Sequence, residues 1–171
     1  MPQPIYTLGH STRPEGEFLT ILAAFGIELV VDIRTVPRSR KNPQYDQASF
    51  ERWLGAAGVK YQHLRDLGGL RRPSKDSVNT GWRNESFRGY ADYMETAQFR
   101  NALEQLIAEA SRWCVVIVCA EAVPWRCHRS LVGDALLVRG IDVRDIMTAS
   151  NSKAHQLTPW ARVDGTRITY P

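Results

Sequence analysis

What this chain has little of narrows its class before any motif is considered. It contains no stretch of about 18 consecutive apolar residues, so a membrane-spanning helix is not expected. Its start, Met1-Pro2-Gln3-Pro4, has neither the basic nor the apolar region of a secretory signal. A soluble, cytoplasmic protein is the expectation, with no membrane partner. Cysteine is scarce, with only Cys114, Cys119 and Cys127 present. An odd number of thiols in a chain of 171 residues argues against a disulfide framework and for reduced groups whose value is packing or chemistry. There is no internal repeat, no low-complexity tract and no Cys-x-x-Cys pair for thioredoxin-like exchange. No helix-turn-helix, zinc-finger or RNA-recognition signature occurs either. The length suits one domain over 1–171 with a sizeable core.

The chain alternates between strand-like and helix-like patterns, which predicts a three-layer α/β fold. We expect a mostly parallel sheet of about five strands with helices on both faces. Ile5-Tyr6-Thr7-Leu8 opens a strand that Gly9-His10-Ser11 leaves. Thr12-Arg13-Pro14-Glu15 then resembles a helix start, with Thr12 as a hydroxyl cap and Glu15 completing a capping box. Phe18, Ile21, Leu22 and Phe25 follow at helical spacing, and Gly26 ends the helix. Leu29 to Arg34 is an apolar strand with its polar residues at the end. A helix over Ser49–Ala57 and a strand over Val59–Leu64 come next.

Asp66 to Arg88 is rich in Gly, Pro, Ser and Asn, and is expected to be a lid or binding loop, or else locally disordered. Tyr90 to Ser111 is helical in pattern, in one piece or two. Cys114 to Cys119 is β-branched and almost wholly apolar, the best candidate for the sheet centre. A helix through Leu131, Ala135 and Val138 ends at Gly140, and a short strand spans Val143–Met147. In the tail, Asp164-Gly165 signals a small terminal ribbon.

The formal charge is +4. It is unevenly spread: Arg34, Arg38, Arg40 and Lys41 form one group, Arg65, Arg71, Arg72 and Lys75 another. If they converge, the partner is an anion; taken singly, each is as well explained as a solvated loop residue. The segment Cys119 to Arg129 concentrates two thiols, the Glu121 carboxylate, the His128 imidazole, and Arg126 and Arg129 between an apolar strand and a helix. Parallel strands end on one edge, where α/β active sites form. That rule gathers His10 and Ser11, Asp32 and Arg34, and Cys119 and Glu121, joined by Cys127, His128 and Arg129 if these open the next helix. Such a helix start would also aim backbone amides at a phosphate or carboxylate.

The motifs Thr7-Leu8-Gly9-His10-Ser11, Asp32-Ile33-Arg34 with Pro37 and Ser39, Phe87-Arg88-Gly89-Tyr90, and Cys119-Ala120-Glu121 with Cys127-His128-Arg129 together resemble domain-of-unknown-function family 488 of bacteria and archaea. The resemblance runs over essentially the full length, and implies a fold and a site without a substrate. Chains similar to this one often carry His before the Ile of the last strand, where this one has Asp145.

Four chemistries fit those residue types. Cys119, at a strand end, has the placement of a nucleophile, although Cys119 to Arg126 is one residue too long for the arginine-terminated loop of cysteine phosphatases. Packing as small hydrophobes is the competing explanation for Cys119 and Cys127. Zinc prefers His10, Cys119, Cys127 and His128 as residue types, but the Cys-x7-Cys-His spacing is no usual knuckle. His10, Glu121 and His128 offer proton transfer with Asp32 as orienting partner, against a purely structural salt bridge or turn cap. Basic runs interleaved with Tyr45, Trp82 and Phe87 suit nucleic acid. The expectation is a hydrolase or transferase on a phosphate-bearing small molecule or nucleic acid, with Ser11, Arg34, Arg126, Cys127 and Arg129 binding the anion. Proton transfer by His10, Glu121 and His128, oriented by Asp32, is preferred over Cys119 as a nucleophile. The alternative is a non-catalytic nucleotide- or nucleic-acid-binding module on the same rim. His63 and His155 show no constellation and are expected to be surface or structural.

Overall fold

Alternating short apolar runs and amphipathic segments fold into a sheet sandwiched by helices. The structure, a computed structural model, describes residues 3–171. Strands β1 (Ile5–Gly9), β2 (Leu29–Asp32), β3 (Lys60–His63), β4 (Val115–Cys119), β5 (Val143–Thr148) and β6 (Asn151–Ala154) form one sheet in the order β3-β2-β4-β1-β5-β6. All neighbours are parallel except β5 and β6. A second sheet pairs β7 (Arg162–Asp164) with β8 (Arg167–Thr169) across the expected Asp164-Gly165 turn, where Gly165 takes a φ of 63°. No helix among the described residues is long and apolar enough to cross a membrane.

β4 is buried at every residue and lies between β2 and β1, as its β-branched composition predicts. Alternation along the strands divides the core in two. Val30, Val116, Val118 and Leu8 pack against α1 (Glu15–Ala24) and α2 (Gln47–Ala56) through Phe18, Leu22, Phe50 and Leu54. Val31, Ile117, Cys119 and Ile5 face α3 (Glu85–Tyr93), α4 (Ala97–Ala110) and α5 (Arg129–Leu137) through Tyr90, Phe99, Leu103 and Leu131. Each core excludes water from one face of the sheet, so neither helical layer is dispensable.

Three details depart from expectation. The sheet has a sixth strand, because Asn151–Ala154 pairs back on β5 as an edge. It is mostly exposed and carries no apolar alternation, so nothing in its pattern announces it. Thr12 does not cap α1. Pro14 is extended at φ −62° and ψ 154° and takes the N-cap position without a side-chain cap bond, which leaves Thr12 outside reach of the first-turn amides. The 66–88 stretch is not wholly loop, since α3 begins at Glu85 under an Asn84 cap. The Asp92 carboxylate accepts from Ser74 N, Ser77 Oγ and Asn79 Nδ2 at 2.7 to 2.9 Å, fastening the loop onto α3. Gly89 lets it pass there, for a Cβ at that position would lie 2.2 Å from the Arg71 carbonyl oxygen.

Candidate functional site

Register brings the strand ends together. Gly9 pairs with Cys119 and Asp32 with Val118, so the residues leaving β1, β2 and β4 emerge side by side. The chain after β4 crosses directly over the end of β1. His10 N and Ser11 N donate to Cys119 O and Ala120 O at 2.8 and 2.9 Å. Ser11 turns away at a φ of 50°. Gly9 is required at the crossing, because a Cβ there would meet the Glu121 carbonyl oxygen at 1.6 Å.

Beneath that crossing lies Arg129, fully buried. Its Nη1 donates to Cys119 Sγ at 2.8 Å and also to Glu121 O. Nη2 donates to Ala122 O and Nε to Thr7 Oγ1. No carboxylate forms an ion pair with it among the described residues. Burial pushes the Cys119 thiol up, but a hydrogen bond from Cys127 and the Arg129 cation outweigh it and bring the group down to about 7. Burial and the neighbouring Cys119 sulfur hold Cys127 well above its ordinary range. Of the two, Cys119 is therefore the thiol that ionises more readily.

His128 packs against the second thiol. Its Nε2 lies 3.0 Å from Ile33 O and must carry the proton, which leaves Nδ1 unprotonated, packed 3.5 Å from Cys127 Sγ, while the single Cys127 S–H serves Cys119. Burial lowers its pKa to about 4, so the ring is neutral. His10 is fixed in the same sense. It stacks on Tyr45 at 4.1 Å, its Nδ1 meets Ser11 O at 2.8 Å, and its Nε2 faces Arg34 Nη1 at 3.4 Å. Burial likewise lowers it to about 4. Arg34 is gripped bidentately by Asp32 at 2.7 and 2.9 Å, and Tyr61 completes the carboxylate's partners.

Cys119, Cys127 and His128 border a cleft of about 460 Å3 whose other walls include Arg34, Arg38, Arg126 and Glu121. The start of α3 closes one side with Asn84, Ser86 and Phe87, and the anchored loop brings Gly69 and Leu70 to the rim. Of the residues expected at the site, Arg34, Cys119, Glu121, Arg126, Cys127 and His128 meet in this cleft. His10, Asp32 and Arg129 do not reach it; they hold it from beneath, their polar atoms already engaged by the protein. Ser11 belongs to the crossing turn and does not line the cleft.

The amides that open α5 are not a free anion seat. Arg129 N donates to Cys127 Sγ, Ser130 N to Cys127 O and Leu131 N to His128 O. The turn leading into the helix satisfies them before any ligand arrives. Among the described residues, no three His, Cys, Asp or Glu side chains converge as ligands of a metal would. Both His10 ring nitrogens are engaged, Nδ1 with Ser11 O and Nε2 with Arg34.

Arg38 was in a recognisable basic run but had no motif to single it out. Phe87 stood in the Phe87-Arg88-Gly89-Tyr90 motif, a signal strong enough to have included it. Of the two roles expected for His155, surface or structural, it takes the structural one. It lies 3.0 Å from both Asp134 and Asp145, and these carboxylates raise it, against burial, to about 9. Asp145, the position that departs from similar chains, takes this bond and the Thr7 hydroxyl.

Compared with known proteins, the chain matches the family model described as domain of unknown function DUF488 over residues 16–136, and it belongs to that family. No curated protein and no solved structure matches it. The matched span takes in the Cys119–Arg129 segment and leaves His10 and everything from β5 onward outside.

Proposed function

We propose that this protein is an enzyme acting on a phosphate-bearing substrate through the Cys119 thiolate. One observation carries the proposal: a buried arginine without a carboxylate partner holds an ionisable sulfur at the floor of a cleft rimmed by Arg34, Arg38 and Arg126. Arg129 stabilises the anionic sulfur, and the rim arginines attract and orient the phosphate. The two histidines are poor proton carriers here, since both are neutral and committed to protein partners. Glu121, exposed at the rim, is the free acid-base group.

In the first step the Cys119 sulfur bonds to phosphorus as the phosphorus–oxygen ester bond breaks, and the departing oxygen takes the proton of the Glu121 carboxyl. In the second, water attacks the phosphorus and gives its proton to Glu121. The sulfur–phosphorus bond breaks, inorganic phosphate leaves and the thiolate is restored.

A panel of phosphomonoesters, p-nitrophenyl phosphate and nucleotides among them, tests this. Turnover is expected for at least one, with Cys119→Ser lowering it by a factor on the order of 1000 while affinity persists. Iodoacetamide should inactivate with a midpoint near pH 7, and inorganic phosphate should protect. Undiminished turnover in Cys119→Ser overturns the proposal. Tight binding of the esters with no turnover makes the rim a binding module instead.

A further inference from the structure

The short turn Pro124–Arg126 separates two clefts. Arg126 borders the thiol cleft, whereas Pro124 and Trp125 border a second, of about 830 Å3, formed with β5, β6 and the segment after them. Three tryptophans line this second cleft. Trp125 is 64% exposed and Trp160 43%, and Trp82 packs edge-on against Trp160 at 4.9 Å. Leaving two indole faces open to water on a basic chain is costly unless something flat covers them.

The polar groups around these rings say what kind of ligand fits. The carboxylates are occupied: Asp145 accepts from Thr7 and His155, and Asp134 from His155, Thr158 and Tyr170. Neither carboxylate is therefore left to pair with the hydroxyls of a sugar. The charged groups left at the rim are donors. Lys153 is exposed and forms no ion pair among the described residues. Arg144 is positioned by Ser152 through Nε and Nη2, which leaves Nη1 for a ligand. Indole faces beside cations match a nucleobase attached to a phosphate.

We infer that the second cleft seats unpaired bases of a single-stranded nucleic acid, stacked on Trp125 and Trp160 with Lys153 and Arg144 on the backbone. A strand is favoured over a free nucleotide for two reasons. The cleft is near the upper end of the ~300–1,000 Å3 range of single-ligand pockets. A backbone leaving it over Pro124–Arg126 also meets the arginines of the thiol cleft. That continuation rests on the phosphate reading of the thiol cleft; the base seat itself does not.

Titration of the intact protein with an unpaired oligodeoxynucleotide of about 12 residues, followed by tryptophan fluorescence, tests the inference. Quenching is expected, weakening as salt rises. The double substitution Trp125→Ala, Trp160→Ala should raise Kd about tenfold or more, and Lys153→Glu should raise it and flatten the salt dependence. Cys119→Ser should leave the binding unchanged. Both tryptophans are exposed, so an unaltered melting temperature and unaltered Cys119 alkylation will show that the double variant is folded.

An abasic strand or a mononucleotide that binds as tightly, a double variant with undiminished affinity, or quenching by a neutral oligosaccharide in place of the strand overturns the inference. Absence of turnover with the quenching intact counts against the thiol enzyme alone.

Discussion

Arg34 and Arg129 are both buried at the carboxyl edge of the sheet, yet one is neutralised by a carboxylate and the other is not. Asp32 grips Arg34 bidentately, so the pair is close to self-sufficient, and only Arg34 Nη1 is left to turn toward His10 and the cleft. Arg129 has sulfur and carbonyl oxygens around it. A guanidinium in that position stabilises whatever nearby group can become an anion, and Cys119 is that group. The difference teaches that the acidity of the thiol is a property of where Arg129 lacks a partner, and that a buried arginine in an anion-seeking edge need not be the one that touches the anion.

Arg129→Met should sharpen the contrast most. It removes the donors to Cys119, Glu121 O and Ala122 O together. We expect a stability loss of about 3–5 kcal/mol in urea unfolding. The Cys119 thiol should rise, since burial is then opposed only by the Cys127 hydrogen bond and the Glu121 backbone, and alkylation at neutral pH should slow on the order of 10-fold or more. An unmoved alkylation profile breaks the comparison. Asp32→Asn comes next. It strands a buried cation, at about 3–5 kcal/mol of stability by the same measurement, but should leave the thiol's titration where it was.

The histidines extend the contrast to pH. His155 has its pKa raised to about 9 from an unfolded value near 6.5, so its contribution is complete below pH 6.5 and is lost as pH climbs through 9. Linkage sets that loss at about 3 kcal/mol, and His155→Gln should abolish the slope in that window. His10 and His128, lowered to about 4, act in the opposite direction. The unfolded chain takes up their protons first, so stability falls as pH drops from 6.5 through 4. Smallest in stability is Glu121→Gln. Its side chain is exposed and without a bonded partner among the described residues, so unfolding should shift by no more than about 0.5 kcal/mol. Turnover should nevertheless fall about 100-fold if Glu121 moves the proton.

The strands that carry the site were legible because burial on both faces demands continuous apolar residues, and Val115 to Val118 have little else to be. The meeting of Cys119, Glu121 and Arg34 was legible from the rule that parallel strands end together. Their separate duties were not. Arg126 and Arg129 are two residues of the same type, three positions apart, and only the turn between β4 and α5 directs one to the cleft and the other into the core. Asp134, Asp145 and His155 form one buried charge system across 21 residues, with no local spacing to reveal it.

By itself, then, the order of residues determined the layered α/β architecture, the family, and the edge at which polar chemistry collects, since these follow from periodicity and from short motifs. The tertiary structure decided which thiol ionises, which arginine faces outward, and that three tryptophans separated along the chain border one cleft. Charge, burial and stacking act between atoms a few ångströms apart in space, and that separation exists only once the chain has closed on itself.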